Sequence, residues 1–255
     1  MEILERTQEL RRQRRAAALV TVVETHGSTP RKPGARMLVL PDGEIEGSIG
    51  GGAVERAVIA AAIEIIATEV PRLVQFKLTT QLAMCCGGQM TFFVEPIVSN
   101  PTLIVFGCGH VGSAIIYAAA ALGFDIVAVD DLEENANPDR LPHAGRIVTS
   151  YEPSDLGDLP FGSDTYVVIA TRDHGIDQKL LETCAPRESR YLGVIGSARK
   201  ARMQRERLAA KDFAAAAIER IHCPIGLDIG AQTPEEIAVS VCAELVAIRR
   251  GSGRS

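Results

Sequence analysis

The stretch Leu103-Ile-Val-Phe-Gly-Cys-Gly-His-Val-Gly112, with the segment that follows it to Asp131, decides the fold. Leu103 to Phe106 is a short continuous apolar run, the pattern of a strand buried on both faces. Gly107, Gly109 and Gly112 then fit the G-x-G-x-x-G spacing that joins such a strand to a helix. In that motif the first glycine permits the tight turn, the second lets a phosphate approach the backbone, and the third lets the helix pack close to the strand. A helical pattern from Val111 to Leu122 ends near Gly123 and gives way to a second apolar run, Ile126 to Val129. Asp130 closes that run, at the position where dinucleotide-binding folds carry a ribose-binding acid. Strand, glycine turn, helix, second strand and terminal acid in this order predict a Rossmann-like unit.

Outward from this unit, alternating strands and helices continue toward the C-terminus, as in a parallel sheet. Strands are expected at Arg146 to Val148, Thr165 to Ala170 and Arg190 to Ile195, and helices at Ile176 to Thr183, Ala198 to Ala210 and Phe213 to Arg220. Thr233 at the N-cap, Pro234 at N1 and Glu236 at N3 announce a last helix running to Arg250. Before residue 100 the pattern differs. A helix is expected over residues 1 to 15. Strands follow at Leu19 to Val23, Arg36 to Leu40 and Glu44 to Ser48, then a helix at Ala53 to Thr68 and strands at Arg72 to Leu78 and Met90 to Pro96. Ser99-Asn100-Pro101 reads as a linker. The expectation is an α/β chain with a smaller N-terminal α+β domain, 1–100, and a C-terminal Rossmann-like parallel-sheet domain, 101–255.

The 255 residues carry a net charge of −5, with 46% hydrophobic and 23% charged residues, the composition of an ordinary globular protein. That charge argues against nonspecific nucleic-acid binding, and the basic cluster Arg11, Arg12, Arg14 and Arg15 suits a helix C-terminus. No run is long and apolar enough to span a membrane. The N-terminus is charged from Glu2 onward and lacks a signal-peptide core, so a cytoplasmic protein is expected. Six cysteines, two of them adjacent, do not make a disulfide framework.

Chemistry concentrates in a few loops. Gly50, Gly51 and Gly52 precede a helix N-terminus, where free amides and the helix dipole favour an anion. His26-Gly-Ser-Thr-Pro-Arg-Lys-Pro-Gly34 gathers a histidine, two hydroxyls and two cations, Arg31 and Lys32, able to pair with phosphate. Cys85 and Cys86, beside Gly87 and Gly88, are vicinal thiols suited to a soft metal or a transferred sulfur. They lack the spacing and histidine partners of a zinc site. Cys108, Cys184, Cys223 and Cys242 read as core residues. His110 opens the helix after the glycine turn. Asp173 and His174 follow one parallel strand and Ser197 follows the next, at carboxyl ends that line a binding crevice. Asp173 and Ser197 are also N-cap candidates.

Together these motifs resemble the XdhC/CoxI family of accessory proteins for molybdenum hydroxylases such as xanthine dehydrogenase. The resemblance rests on Glu24-Thr-x-Gly-Ser-Thr-Pro-Arg-x-Pro-Gly34, Gly47-Ser-Ile-Gly-Gly-Gly52 and Cys85-Cys86-Gly87-Gly88. It continues in Phe106-Gly-x-Gly-His-Val-Gly112, Asp173-His174, Tyr191-Leu-Gly-Val-Ile-Gly-Ser197, Pro224-Ile-Gly-Leu-Asp-Ile-Gly230 and Thr233-Pro-Glu-Glu-Ile-Ala238. It implies a chaperone that binds the molybdenum cofactor (molybdopterin or its dinucleotide form), protects it, supports its sulfuration by a cysteine desulfurase and passes it to a xanthine dehydrogenase-type client. It implies an accessory protein rather than a turnover enzyme, here expected as a homodimer. The implied cofactor residues are Gly50, Gly51, Gly52, Cys85, Cys86, Gly107, Gly109, His110, Gly112, Asp130, Asp173, His174 and Ser197. Cys85 and Cys86 would handle molybdenum or sulfur. The alternatives are an NAD(P)-dependent oxidoreductase, favoured by the glycine fingerprint and Asp130, and a thiol redox protein. The loops at Gly107 to Gly112, Thr171 to Gly175, Gly196 to Lys200 and Pro224 to Gly230 are expected to share one rim, with the Cys85-Cys86 turn serving the same ligand.

Overall fold

The structure, a computed structural model, describes residues 2–13, 15–78 and 88–251. The chain divides into two compact units, residues 1–100 and 101–255.

Unit 1 runs α1 (Ile3–Arg12), β1 (Ala17–His26), β2 (Arg36–Val39), β3 (Ile45–Gly47), α2 (Gly52–Thr68), β4 (Arg72–Lys77) and β5 (Gln89–Ile97). Among the described residues the strands form one antiparallel sheet in the order β3-β2-β1-β5-β4. Because side chains alternate across a strand, β1 serves two cores. Ala18, Val20 and Val22 pack with Val54, Val58, Ala62 and Ile65 of α2. Leu19 and Ala17 pack on the opposite face with Leu10 of α1. That double burial explains the continuous apolar run Ala17 to Val20 at the start of β1.

Unit 2 runs β6 (Thr102–Phe106), α3 (His110–Ala120), β7 (Asp125–Val129), β8 (Arg146–Val148), β9 (Gly162–Ile169) and α4 (His174–Cys184). It continues with β10 (Ser189–Val194), α5 (Ala198–Ala209), α6 (Ala215–Glu219), β11 (Ile221–His222) and α7 (Pro234–Arg249). The six strands are parallel, in the order β11-β10-β9-β6-β7-β8. Read from β8, this is the 3-2-1-4-5-6 order of a doubly wound dinucleotide fold. Leu103 and Val105 face the core shared with α3 and α7, while Ile104 and Phe106 face the one shared with α4 and α5. The order reverses between β6 and β9, and a ligand crevice is expected beyond their carboxyl ends.

Two details differ from the sequence expectation. The helix expected from Phe213 shrinks to α6, because Asp212 takes a left-handed φ of 58° instead of capping a helix. Two residues after α6, Ile221 and His222, add an edge strand that has no pattern of its own; its pairing with Leu192 and Gly193 creates it.

Candidate functional site

The glycine turn of unit 2 is held by packing on two sides. At Gly112 an added Cβ would lie 1.7 Å from the Gly107 carbonyl oxygen, and at Gly107 (φ 90°) it would lie 2.3 Å from the Ala170 carbonyl oxygen. Gly109 is different: a Cβ there would meet nothing within 4 Å. Of the three glycines, two therefore let the backbone close on itself and one opens onto free space. That space is a cavity of about 250 Å³ bordered by Gly107, Gly109, His110, Asp130, Thr171 and Arg172.

Asp130 sits at the end of β7, almost fully buried. Its Oδ2 accepts the Cys108 amide at 2.7 Å and its Oδ1 accepts the Leu132 amide at 2.9 Å. The acid's side chain thus ties the glycine turn to the end of β7. Asp131 forms a two-pronged pair with Arg172, the second prong at 2.8 Å. The guanidinium holds the Asp131 carboxyl below its usual range. Beside this cluster the buried Tyr151 hydroxyl has no hydrogen-bond partner among the described residues. Burial, then the charges of Asp130 and Asp131, push its ionisation far upward, so it stays a neutral donor. Cys108 lies beneath the turn, fully buried, its thiol pushed up to about 12 by burial and by Asp130. Cys184, Cys223 and Cys242 are buried as well, with thiols raised by burial.

The loops after β9 and β10 are joined by a buried ion pair. Asp177, fully buried in α4, accepts the Thr171 amide at 3.0 Å and hydroxyl at 2.6 Å with Oδ1. Its Oδ2 accepts from Lys200 Nζ at 2.7 Å, and that ammonium also donates to the Ile195 carbonyl at 2.8 Å. Asp173 caps α4 by accepting the Gly175 and Ile176 amides, whose bonds, that of Ile176 first, lower its pKa. Ser197 caps α5 by accepting the Lys200 amide. The His174 side chain is exposed, with Nδ1 3.6 Å from Asp177. The loop 223–230 is tied down by α7. Glu244, almost fully buried, accepts from Tyr191, from His222 at 3.1 Å and from the Gly226 amide at 2.7 Å. Burial works against the Glu244 charge, but those hydrogen bonds outweigh it and hold the carboxyl below the ordinary range. The four loops of unit 2 then border three cavities: the one at Gly109, one of about 550 Å³ at His174 and Ser197, and one of about 530 Å³ at Pro224 to Ala231. Ile195 or Gly196 belongs to each, so the loops share one rim.

In unit 1 the motifs also meet. A Cβ at Gly50 would lie 2.5 Å from the Pro30 ring, and one at Gly88 would lie 2.4 Å from the Ser28 carbonyl oxygen and 2.6 Å from that of His26. The loops 26–34 and 47–52 and the described end of the Cys-Cys-Gly-Gly segment therefore pack together. Glu55 Oε2 accepts the Ser48 hydroxyl at 2.8 Å and the Ile49 and Gly51 amides at 3.1 and 3.2 Å. Gly51, whose Cβ would meet nothing within 4 Å, and Gly52 remain at the mouth of α2. Cys85 and Cys86 lie outside the described residues. Among the described residues no group of three or more His, Cys, Asp or Glu is placed to hold a metal. No helix there is long and apolar enough to cross a membrane.

Sequence reasoning missed Glu55, Glu244, Gln178 and Gln204, and gave Asp177 and Lys200 no role. A lone acid inside an apolar helix, as Glu244 is within Ile237 to Ile248, was the available signal.

A family model described as the XdhC Rossmann domain matches residues 103–245, and one described as the XdhC and CoxI family matches residues 10–77. The chain belongs to the XdhC family. An uncharacterized protein of Escherichia coli, YqeB, is 36% identical over 262 residues, covering 99% of this chain and 47% of its own length. A Bacillus subtilis protein named as a probable subunit of xanthine dehydrogenase is 30% identical over 158 residues, 62% of this chain and 46% of the relative. The chain thus spans about half the length of these two relatives. The molybdenum cofactor insertion chaperone PaoD of E. coli is 24% identical over 269 residues, covering 92% of this chain and 84% of PaoD. A crystal structure described as a xanthine dehydrogenase from Bacillus halodurans shares the fold, with a TM-score of 0.57 at 21% identity, over 100% of this chain and 97% of that one.

Proposed function

We propose that this protein is a cytoplasmic carrier of the molybdenum cofactor, acting as a homodimer for a xanthine dehydrogenase-type hydroxylase. It binds and protects the cofactor, supports its sulfuration by a cysteine desulfurase and delivers it to the client. Membership of the XdhC family and the likeness to PaoD support the class of function. The observation that carries the reading within the site is the state of Asp130. In a nicotinamide enzyme the acid at this position binds the ribose; here both its oxygens accept the chain's own amides. Asp130 is also 3% exposed, so it is poorly placed to meet a ribose, which disfavours the ribose contact of NAD(P) while leaving the open glycine turn to a phosphate.

The residues fit such a ligand. Backbone amides at the Gly109 turn and the α3 N-terminus suit its phosphate. The orphaned Tyr151 hydroxyl offers a buried donor at the same cluster. Asp173 and Ser197 are occupied as helix caps, so their part is to hold the His174 and Lys200 loops in place. When bound, the cofactor supplies the dithiolene-held molybdenum on which the client depends. Cys85 and Cys86 are the thiols placed by motif to meet the metal or its sulfur.

The test is expression with cofactor biosynthesis intact, followed by mass and absorbance analysis of what copurifies. A retained pterin is the expected result; nicotinamide binding with no pterin overturns the reading. The Cys85→Ser, Cys86→Ser double variant should keep its melting temperature and lose cofactor retention or client activation. Unchanged client sulfuration would remove the thiols from the mechanism.

A further inference from the structure

The 550 Å³ cavity between α4 and α5 has the volume of a small-molecule site, and it is distinct from the Gly109 cavity. Two of its wall residues are buried amides, Gln178 from α4 and Gln204 from α5, 8% and 3% exposed. Each is tied at one end only. Gln178 Nε2 donates to Glu182 at 3.0 Å. A carboxylate only accepts, so this bond orients the amide and leaves Gln178 Oε1 as an acceptor without a partner. Gln204 Oε1 accepts from the Cys223 thiol at 3.5 Å, leaving Nε2 as a donor without a partner. Buried polar atoms are almost always hydrogen-bonded. One orphan donor and one orphan acceptor on two lining residues of a single cavity therefore need an explanation.

The charges around them have one sign left over. Glu182 is matched by Lys211 at 2.7 Å and Asp177 by Lys200 at 2.7 Å. Arg199 and Arg207 line the same cavity and form no contact ion pair among the described residues, although the Arg207 charge helps to lower the pKa of Glu182 from a distance. An occupant must give one hydrogen bond, take one, and carry negative charge toward the rim. We propose that this cavity binds an acidic heterocycle through a lactam edge, the adjacent N–H and C=O of a 2-amino-4-oxopyrimidine ring. Pterins and guanine share that ring. The pterin source rests on the carrier reading above; a guanine nucleotide is the other source of the same edge. Gln178 Oε1 takes the ring N–H, Gln204 Nε2 gives to the ring carbonyl, and Arg199 and Arg207 meet the acidic substituent. Met203 and Arg207, long unbranched side chains on the same wall, are the groups whose rotation admits the ring.

The test uses the full chain and pterin-6-carboxylate, followed by its fluorescence, with GMP, AMP and inorganic phosphate as competitors. Wild type is expected to bind the pterin. Gln178→Met and Gln204→Met should each weaken binding about tenfold, the loss expected for a buried hydrogen bond. Their unliganded melting temperatures should stay close to that of wild type, because removal of the orphan atom offsets loss of the bond to Glu182 or Cys223. The Arg199→Gln, Arg207→Gln pair should weaken binding and flatten its salt dependence. Competition by GMP but not AMP supports the lactam edge and adds guanine as a source, while failure of GMP to compete assigns the site to pterin. Displacement by AMP or phosphate as readily as by GMP overturns the proposal, as does equal binding by the methionine variants. If those variants do not fold, unchanged affinity in the arginine pair overturns it. Cofactor loading in cells separates the two readings. Normal loading by the methionine variants sinks this inference and leaves the carrier reading standing; no loading by wild type sinks the carrier reading.

Discussion

The two glycine-rich turns, 47–52 in unit 1 and 107–112 in unit 2, look alike in sequence. Each leads into a helix N-terminus, and each suggests a cradle for an anion. The structure separates them. In unit 1, Glu55 reaches back from the first turn of α2 and accepts the Ser48 hydroxyl and the Ile49 and Gly51 amides. The chain's own carboxylate is the anion of that turn. In unit 2, Asp130 takes only the Cys108 amide of the turn, and the backbone at Gly109 faces open space. A glycine run at a helix start thus marks close backbone approach in both places, and one glycine of each run, Gly51 and Gly109, opens onto free space; the difference is that the Gly51 amide is already taken by Glu55. The distinction lies in where the nearest carboxylate comes from.

The largest effect should come from closing the tightest contact. Gly112→Ala sets a methyl 1.7 Å from the Gly107 carbonyl oxygen, which is backbone, so no flexible side chain can yield. We expect a loss of about 3 kcal/mol or more, seen as a lower urea midpoint or as insoluble protein. A melting curve like that of wild type would show that the helix does not rest on the strand as described.

Glu55→Ala is the next test, and it acts on the other turn. It strips one acceptor from three donors of the 47–52 loop, and a part-buried charged acceptor should cost about 2 kcal/mol. If Glu55 is indeed the loop's internal anion, added phosphate or sulfate should raise the melting temperature more in this variant than in wild type, which gains only the general stabilisation by excluded salts. An equal rise in both would mean that Glu55 does not hold an anion's place in the turn, and the contrast between the units would fail.

A third test concerns pH. The Glu244 carboxyl anchors the 223–230 loop and has a folded pKa below the ordinary glutamate value of 4.5. Its contribution is therefore complete above 4.5 and is lost as pH falls through the lower folded value. Glu244→Gln should lower the melting temperature near neutral pH, with the gap from wild type narrowing as pH falls below 4.5. A constant gap would mean that the carboxylate charge has no part in anchoring the loop.

The elements and the anchors differ in how far they could be read. The strands β6 and β7 are buried on both faces and show as continuous apolar runs, and the Thr233-Pro234-Glu236 signal becomes a complete capping box. These are local features, decided by residues within one turn or strand. The anchors are not local. Lys200 meets Asp177 across 23 residues and Tyr191 meets Glu244 across 53. A polar residue on a helix reads as solvent-facing until the fold shows a partner beneath it. The same holds for Asp130: its position at the strand end was legible, whereas its engagement with the Cys108 amide depends on how the turn closes.

The smallest effect on stability should come from Gly109, and it bears most directly on the contrast between the turns. Gly109 is the N-cap of α3 with φ −66° and ψ −160°, an extended conformation open to any L residue. Its carbonyl accepts from the Ser113 amide and hydroxyl, and a side chain disturbs neither. Gly109→Ala should therefore change stability by less than about 1 kcal/mol. Gly109→Val should remain folded too, since its branches enter the open space of the 250 Å³ cavity rather than the core. Both variants place carbon where a phosphate would approach the turn, so cofactor retention should fall with alanine and fall further with valine. Phosphate binding to the Glu55→Ala variant should be untouched by either change, because that site belongs to the other turn. If Gly109→Val retains cofactor like wild type, the open space beside Gly109 is not where the ligand sits, and the turn from Gly107 to Gly112 serves packing alone.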